Sequence, residues 1–275
     1  MFLQFENSVG KVDAFSITPF ASVVKIGPGD SSPWSPATGI SLRVNWSPGE
    51  ELPPCDAHLQ PIFVDGEIVF WLAETPGKLT LVRDSSFRLF LDFEKRSGEV
   101  YLSLPRDWQN VLRIVYFHLL LEGQGLLLHA SALAGSGEAY VFPGPSGAGK
   151  TSIVRQSPGM LVLTDEIAAV EASGNGHLPL AHGTPFFGDW GKPGENMTAP
   201  IRGFYFPVQG RENRLVPLTP AETLTRLLPC VCSYTTRKAL LQKLFDTSVR
   251  LTERIPGFAL HFRPEPGLWQ AIHGS

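Results

Sequence analysis

Hydrophobic and polar positions divide this chain into two stretches of different character. Up to about residue 105, short runs at residues 23–26, 40–46, 62–64, 68–72, 78–82, 87–93 and 100–102 are β-rich or alternate between apolar and polar positions. Turn residues punctuate them, notably Asp65-Gly66 and Ser97-Gly98. This spacing predicts an antiparallel β domain over residues 1–105. The proline-rich residues 27–36 and 48–54 cannot lie in central strands and read as connections. Ser103 then caps a helix with Pro105 in its first turn. Trp108, Val111, Leu112, Val115 and Leu119 recur at helical spacing as far as Gly123. That helix is expected to join the β domain to a second domain, residues 106–275, and to lay its apolar stripe against the latter.

The second stretch opens differently. Residues 126–132 and 139–142 are apolar and β-prone, and the latter run straight into residues 144–151, G-P-S-G-A-G-K-T. Every constrained position fits the phosphate-cradling pattern G-x-x-x-x-G-K-[ST]. Residues 151–156 can begin a helix directly afterwards. Strand, glycine loop and helix therefore stand where phosphate binding needs them. Gly144, Pro145, Ser146, Gly147, Ala148 and Gly149 would curl the backbone so that N–H groups face phosphate oxygens, and the helix from Lys150, Thr151 and Ser152 would add the positive end of its dipole. Lys150 would reach the β- and γ-phosphates, and Thr151 would offer its hydroxyl to Mg²⁺. The expected ligand is a nucleoside triphosphate, ATP with Mg²⁺.

Ser157, Pro158 and Gly159 stop that helix after about two turns. Residues 160–164 read as a buried strand that ends in Asp165 and Glu166. Carboxylates at such a strand end can hold the Mg²⁺ shell, together with Thr151, or accept a hydroxyl proton, and Asp165 is the first choice for that work. Phosphoryl transfer also wants a cation for the charge on the γ-phosphate, and Arg202 is the best-placed arginine. His182, in a loop-like stretch, could cover the nucleotide or contact the acceptor, although a plain turn is the better reading.

This compact arrangement resembles the HPr kinase/phosphorylase catalytic domain and the related ATP-dependent phosphoenolpyruvate carboxykinases, over about residues 106–275. The strand with His129, the loop at 144–151, the acidic pair, residues 199–206 and the terminal 259–264 with Trp269 follow in the same order. The resemblance implies a P-loop kinase core of α/β (α+β) class behind an N-terminal β-rich domain. It implies a place for His129 beside the active site. Glu166 stands where the family has a second aspartate, and residues 182–188, H-G-T-P-F-F-G, replace its L-E-I-R-G signature. Kinase chemistry thus follows from the likeness, whereas phosphorylase activity and HPr as acceptor do not. The acceptor it implies is a serine or threonine of a peptide or small protein. A small-molecule kinase or a nucleotide-binding sensor without transfer would share the same residues. The family assembles as hexamers, so a homo-oligomer is an expectation as well.

Composition narrows the classes that remain. With 23 basic and 26 acidic side chains and no block of like charges, nothing attracts nucleic acid electrostatically. Cys55, Cys230 and Cys232 lack the number and spacing of a disulfide framework or zinc site and read as reduced thiols of a cytoplasmic protein. The first residues carry no basic segment followed by an apolar core, so a secretory signal is not expected. Residues 111–128, the most apolar stretch, are broken by Arg113, His118, Glu122, Gly123 and Gly125 and do not read as a membrane span.

Overall fold

The computed structural model describes residues 3–7, 40–46, 51–55, 58–64, 67–83, 85–103, 107–172, 178–263 and 267–274. The expectations for residues 23–36, 48–50, Asp65-Gly66 and 104–106 lie outside them. Two sheets and a few helices make the fold α+β. The chain divides into two compact units, one of Met1–Leu119 with Tyr234–Leu241 and the other of Leu120–Ser233 with Gln242–Ser275.

The first unit holds a seven-stranded sheet in the order β1-β2-β7-β6-β5-β4-β3. Its strands are β1 (Leu3–Asn7), β2 (Ile40–Trp46), β3 (Gln60–Val64), β4 (Glu67–Thr75), β5 (Lys78–Arg83), β6 (Phe87–Asp92) and β7 (Ser97–Leu102). Strands β3 to β7 form an antiparallel run, but β1 pairs with β2, and β2 with β7, in parallel. The sheet is therefore mixed and not antiparallel throughout. Alternation decides which face is covered: along β6, Phe87, Leu89 and Leu91 are buried while Arg88, Phe90 and Asp92 are half-buried.

Helix α1 (Trp108–Glu122) corrects a second expectation. Its Val111, Ile114, Val115 and Leu119 join one core with Leu79, Leu81, Phe87, Leu89, Val100 and Leu102, so this stripe packs on the β-rich sheet. Burying each such side chain contributes roughly 1.5–3 kcal/mol, and the sheet offers a complementary apolar face within the same unit. The turn expected at Ser97-Gly98 falls instead over residues 93–96, with Arg96 at φ 52°. There the Lys95 N–H donates to Asp92 Oδ1 at 2.9 Å, a side-chain-stabilised turn that leaves Ser97 and Gly98 free to pair with Asp92 and Leu91.

The second unit carries an eight-stranded sheet, β10-β8-β11-β12-β13-β15-β14, with β9 pairing both β13 and β8. The strands are β8 (Gly125–Gly135), β9 (Glu138–Pro143), β10 (Leu161–Thr164), β11 (Ile167–Glu171), β12 (Leu180–His182), β13 (Thr198–Gln209), β14 (Arg214–Leu218) and β15 (Gly257–Phe262). Helices α2 (Lys150–Arg155), α3 (Pro220–Leu227), α4 (Lys238–Arg254, its first residues in the other unit) and α5 (Leu268–His273) complete it. Trp269, expected among closing strands, lies on α5, where its Nε1–H donates to Ser157 Oγ at 3.0 Å. Strands β9, β13 and β15 run parallel, and β10 shares the direction of β9 because both are antiparallel to β8. No helix among the described residues is long and apolar enough to cross a membrane.

Candidate functional site

The register of β8 brings the glycine loop and the acidic pair together. Pro143 of β9 lies opposite Ala130, and Thr164 of β10 opposite Ala132, so the C-terminal ends of β9 and β10 are nearly level across β8. At that level the Gly144 N–H donates to the His129 carbonyl at 3.2 Å, and the Ala130 N–H donates to the Glu166 carbonyl at 3.0 Å. His129 thus stands between the start of the loop and the acidic pair.

The loop itself is an arch. Gly144 is buried at its base, Pro145, Ser146 and Gly147 are exposed, and the Ala148 N–H closes a turn on the Pro145 carbonyl at 3.2 Å. Gly147 and Gly149 hold φ of +78° and +99°, a region that disfavours any residue with a Cβ. The N–H groups of Ser146, Gly147 and Gly149 make no hydrogen bond among the described residues. Successive unpaired N–H groups in a curled main chain form a concavity suited to an anion.

Lys150 fills the underside of this arch. Its ammonium donates to the Gly144 carbonyl at 2.9 Å and to the Pro145 carbonyl at 2.8 Å, and the residue is only 7% exposed. Among the described residues no carboxylate lies within ion-pair distance of it. Burial pushes its pKa below the ordinary lysine range, partly offset by Cys230, Glu166 and Asp165. A buried ammonium held only by neutral carbonyls, with carboxylates near but not in contact, gains from any anion that enters the arch.

Asp165 is buried and engaged on both oxygens: the Gly188 N–H donates to Oδ1 at 2.9 Å and the Trp190 N–H to Oδ2 at 2.8 Å. It therefore pins residues 188–190 beside the acidic pair, and a Cβ at Gly188 would lie 3.5 Å from Asp165 Oδ2. Each carboxylate oxygen retains a second lone pair. Thr151 is half-exposed and Glu166 half-buried, and both, like Asp165, offer hard oxygen donors of the kind Mg²⁺ takes. Ser152 follows on the same first turn of α2.

Arg202 is not brought to this place. It sits on β13 between the residues paired with Ala139 and Tyr140, exposed, with its guanidinium 3.5 Å from Glu138 at the start of β9. At about 3.3 Å per residue along a strand, that is about 15 Å from Gly144. Residues 199–206 run past the loop, and only their far end reaches it. His182 is corrected as well. It belongs to β12 and not to a loop, and its ring faces Glu171 and Thr198.

No family model and no curated protein sequence matches this chain. The site therefore rests on its own geometry. Two neighbours of the loop were illegible in the sequence. Cys230, in the 3₁₀ turn Leu228–Cys230, lies within electrostatic reach of Lys150, because Val231 and Cys232 pair with Leu128 and Leu127 of β8. Burial pushes its thiol up to about 11, with the Lys150 ammonium pulling the other way. Phe262, at the end of β15, covers Gly149 so closely that a Cβ there would lie 2.3 Å from its ring.

That contact separates the two glycines experimentally. Gly149→Ala combines a left-handed backbone with a clash against a buried ring and is expected to cost about 2–4 kcal/mol. Gly147→Ala meets nothing within 4 Å, so only the backbone term of about 1–2 kcal/mol remains. Urea unfolding midpoints of the two variants measure the difference.

Proposed function

We propose that this protein binds a nucleoside triphosphate with Mg²⁺ at residues 144–151 and transfers its terminal phosphoryl group to a hydroxyl, that of a serine or threonine in a peptide or small protein. The reading includes the P-loop kinase core of HPr kinase type that the sequence resembles. The observation that carries it is the buried Lys150 ammonium, with no carboxylate in ion-pair contact among the described residues, under an arch of N–H groups that those residues leave unpaired. A polyanion supplies what both lack, and at the buried ammonium water screens it little.

In this reading Ser146, Gly147 and Gly149 receive phosphate oxygens on their main-chain N–H groups. Lys150 exchanges its two carbonyl partners for phosphate oxygen. Thr151, Asp165 and Glu166 would hold Mg²⁺, whose contribution is to neutralise charge on the same oxygens. Asp165 accepts the proton of the incoming hydroxyl on a lone pair not used by Gly188 or Trp190. His129, whose carbonyl already receives the Gly144 N–H, positions the arch. Incubation with γ-labelled ATP and a cell extract tests this: a labelled peptide or protein supports it, a labelled small molecule moves the acceptor class, and no label removes transfer.

The paired N–H bonds to Asp165 favour a second reading, a nucleotide-binding sensor in which the carboxylate is purely a clasp for residues 188–190. Asp165→Asn decides between them. An amide can accept only one of the two N–H groups and sets its own NH₂ against the other, so a stability loss of about 1–3 kcal/mol is expected in either reading. Loss of transfer with retained nucleotide affinity, measured below the unfolding transition, supports the kinase. Unchanged biological output supports the sensor.

A further inference from the structure

Away from the glycine loop, three neighbouring strands line up a carboxylate, an imidazole and a hydroxyl. Glu171 ends β11, His182 ends β12 and Thr198 begins β13. His182 Nε2 is 3.2 Å from Glu171 Oε2, and His182 Nδ1 is 3.0 Å from Thr198 Oγ1. Accessibility rises along the row: the Glu171 side chain is 2% exposed and that of His182 17%, and Thr198 is exposed.

Strand pairing explains why these groups meet. The Gly183 N–H donates to the Met197 carbonyl and the Ile201 N–H to the Pro179 carbonyl, so pairs that exchange main-chain bonds alternate with pairs that do not. His182 and Thr198 form one of the latter, in which opposed side chains approach most closely. The Thr198 N–H consequently points away from β12, on a side that β9 joins only from Ile201 onward. A hydroxyl on a base, a base on a buried carboxylate and an outward N–H beside the hydroxyl make the arrangement that activates an oxygen nucleophile.

We propose that Thr198, His182 and Glu171 form a second reactive site, one that cleaves small carboxylic esters by acyl transfer. Thr198 Oγ bonds to the ester carbonyl carbon while its proton passes to His182 Nδ1. The carbon–oxygen bond to the alcohol breaks, and the alcohol leaves with that proton. Water then gives a proton to Nδ1 and its oxygen to the acyl carbon, and the acid departs as Thr198 Oγ takes its proton back. The sum is ester plus water to acid plus alcohol. Thr198 and His182 are the catalytic residues. Glu171 is a positioning residue that holds the ring with Nε2–H toward itself and stabilises the imidazolium. The proposal is independent of the nucleotide reading.

A fluorophosphonate probe, which forms a stable adduct with activated hydroxyls, tests it on the full chain, with the modified residue mapped by mass spectrometry. The expected result is an adduct on Thr198 in the unaltered protein, retained in Thr198→Ser. Labelling should be slowed at least 100-fold in His182→Ala, the lower end of what a general base contributes. Labelling should also slow in Glu171→Ala and recover in Glu171→Gln, whose amide oxygen can still accept from Nε2–H. A folded, unaltered protein with no adduct on Thr198, or an adduct formed equally fast in His182→Ala, overturns the proposal. Because the first readout needs no variant, a misfolded substitution does not blunt it.

Discussion

Lys150→Met is expected to weaken binding of ATP with Mg²⁺ by roughly 10- to 150-fold, the equivalent of the 1.5–3 kcal/mol carried by a hydrogen bond to a charged group. The same change should move the melting temperature by only a few degrees. Removing the ammonium leaves the Gly144 and Pro145 carbonyls without their donor, but it also relieves a buried charge whose pKa burial pushes down. These terms oppose each other in the free protein, whereas nothing replaces the ammonium against phosphate. Titration calorimetry on both proteins, with thermal unfolding in parallel, checks both halves. Equal affinities for the two would mean that Lys150 faces no phosphate.

The second large effect lies in the other unit and concerns acid. His118 of α1 is 6% exposed, packed between the Phe93 and Phe117 rings, and burial pushes its pKa down to about 4. The Tyr234 main chain works against that shift and Arg237 adds to it. Between about pH 6.5 and 4 the unfolded chain binds a proton that the folded chain refuses, so stability falls as pH falls across that window. The lowering corresponds to about 3 kcal/mol in total at 1.36 kcal/mol per pH unit. Glu74 opposes it in part: burial raises its pKa, with Thr235, Thr236 and Arg237 pulling the other way, so its contribution weakens as pH rises. Urea unfolding at pH 7 and pH 4.5 should show the net loss. His118→Leu, which keeps the apolar volume, should flatten it.

What the sequence revealed and what it hid follow one physical divide. Strands β2 to β7 were visible because alternation along one chain segment suffices to mark a half-buried strand, as Phe87, Leu89 and Leu91 do. The destination of the α1 stripe was not visible, because Val111, Ile114 and Val115 are equally apolar whichever surface they meet. The parallel pairing of β1 and β2 depends on partners that no local pattern names. In the candidate site the contiguous part was legible: residues 144–151 and Asp165-Glu166 carry their chemistry in order and spacing, and the register of β8 sets them side by side. Arg202 misled because a cation on the right strand can still sit at its wrong end, here beside Glu138. Cys230, Phe262 and the row of Glu171, His182 and Thr198 come from separate strands and turns, and only tertiary pairing assembles them.

One measurement bears most directly on the claim that the arch around Lys150 receives a nucleoside triphosphate: thermal unfolding of the intact protein with and without ATP and Mg²⁺. At about a hundred times the dissociation constant, binding to the folded state adds about 2.7 kcal/mol. For a chain of this size that raises the melting temperature by roughly 5–10 °C. A rise of that order that depends on magnesium and vanishes in Lys150→Met is the predicted result. An unchanged melting temperature in a folded sample, with either ATP or GTP at millimolar concentration, contradicts the account.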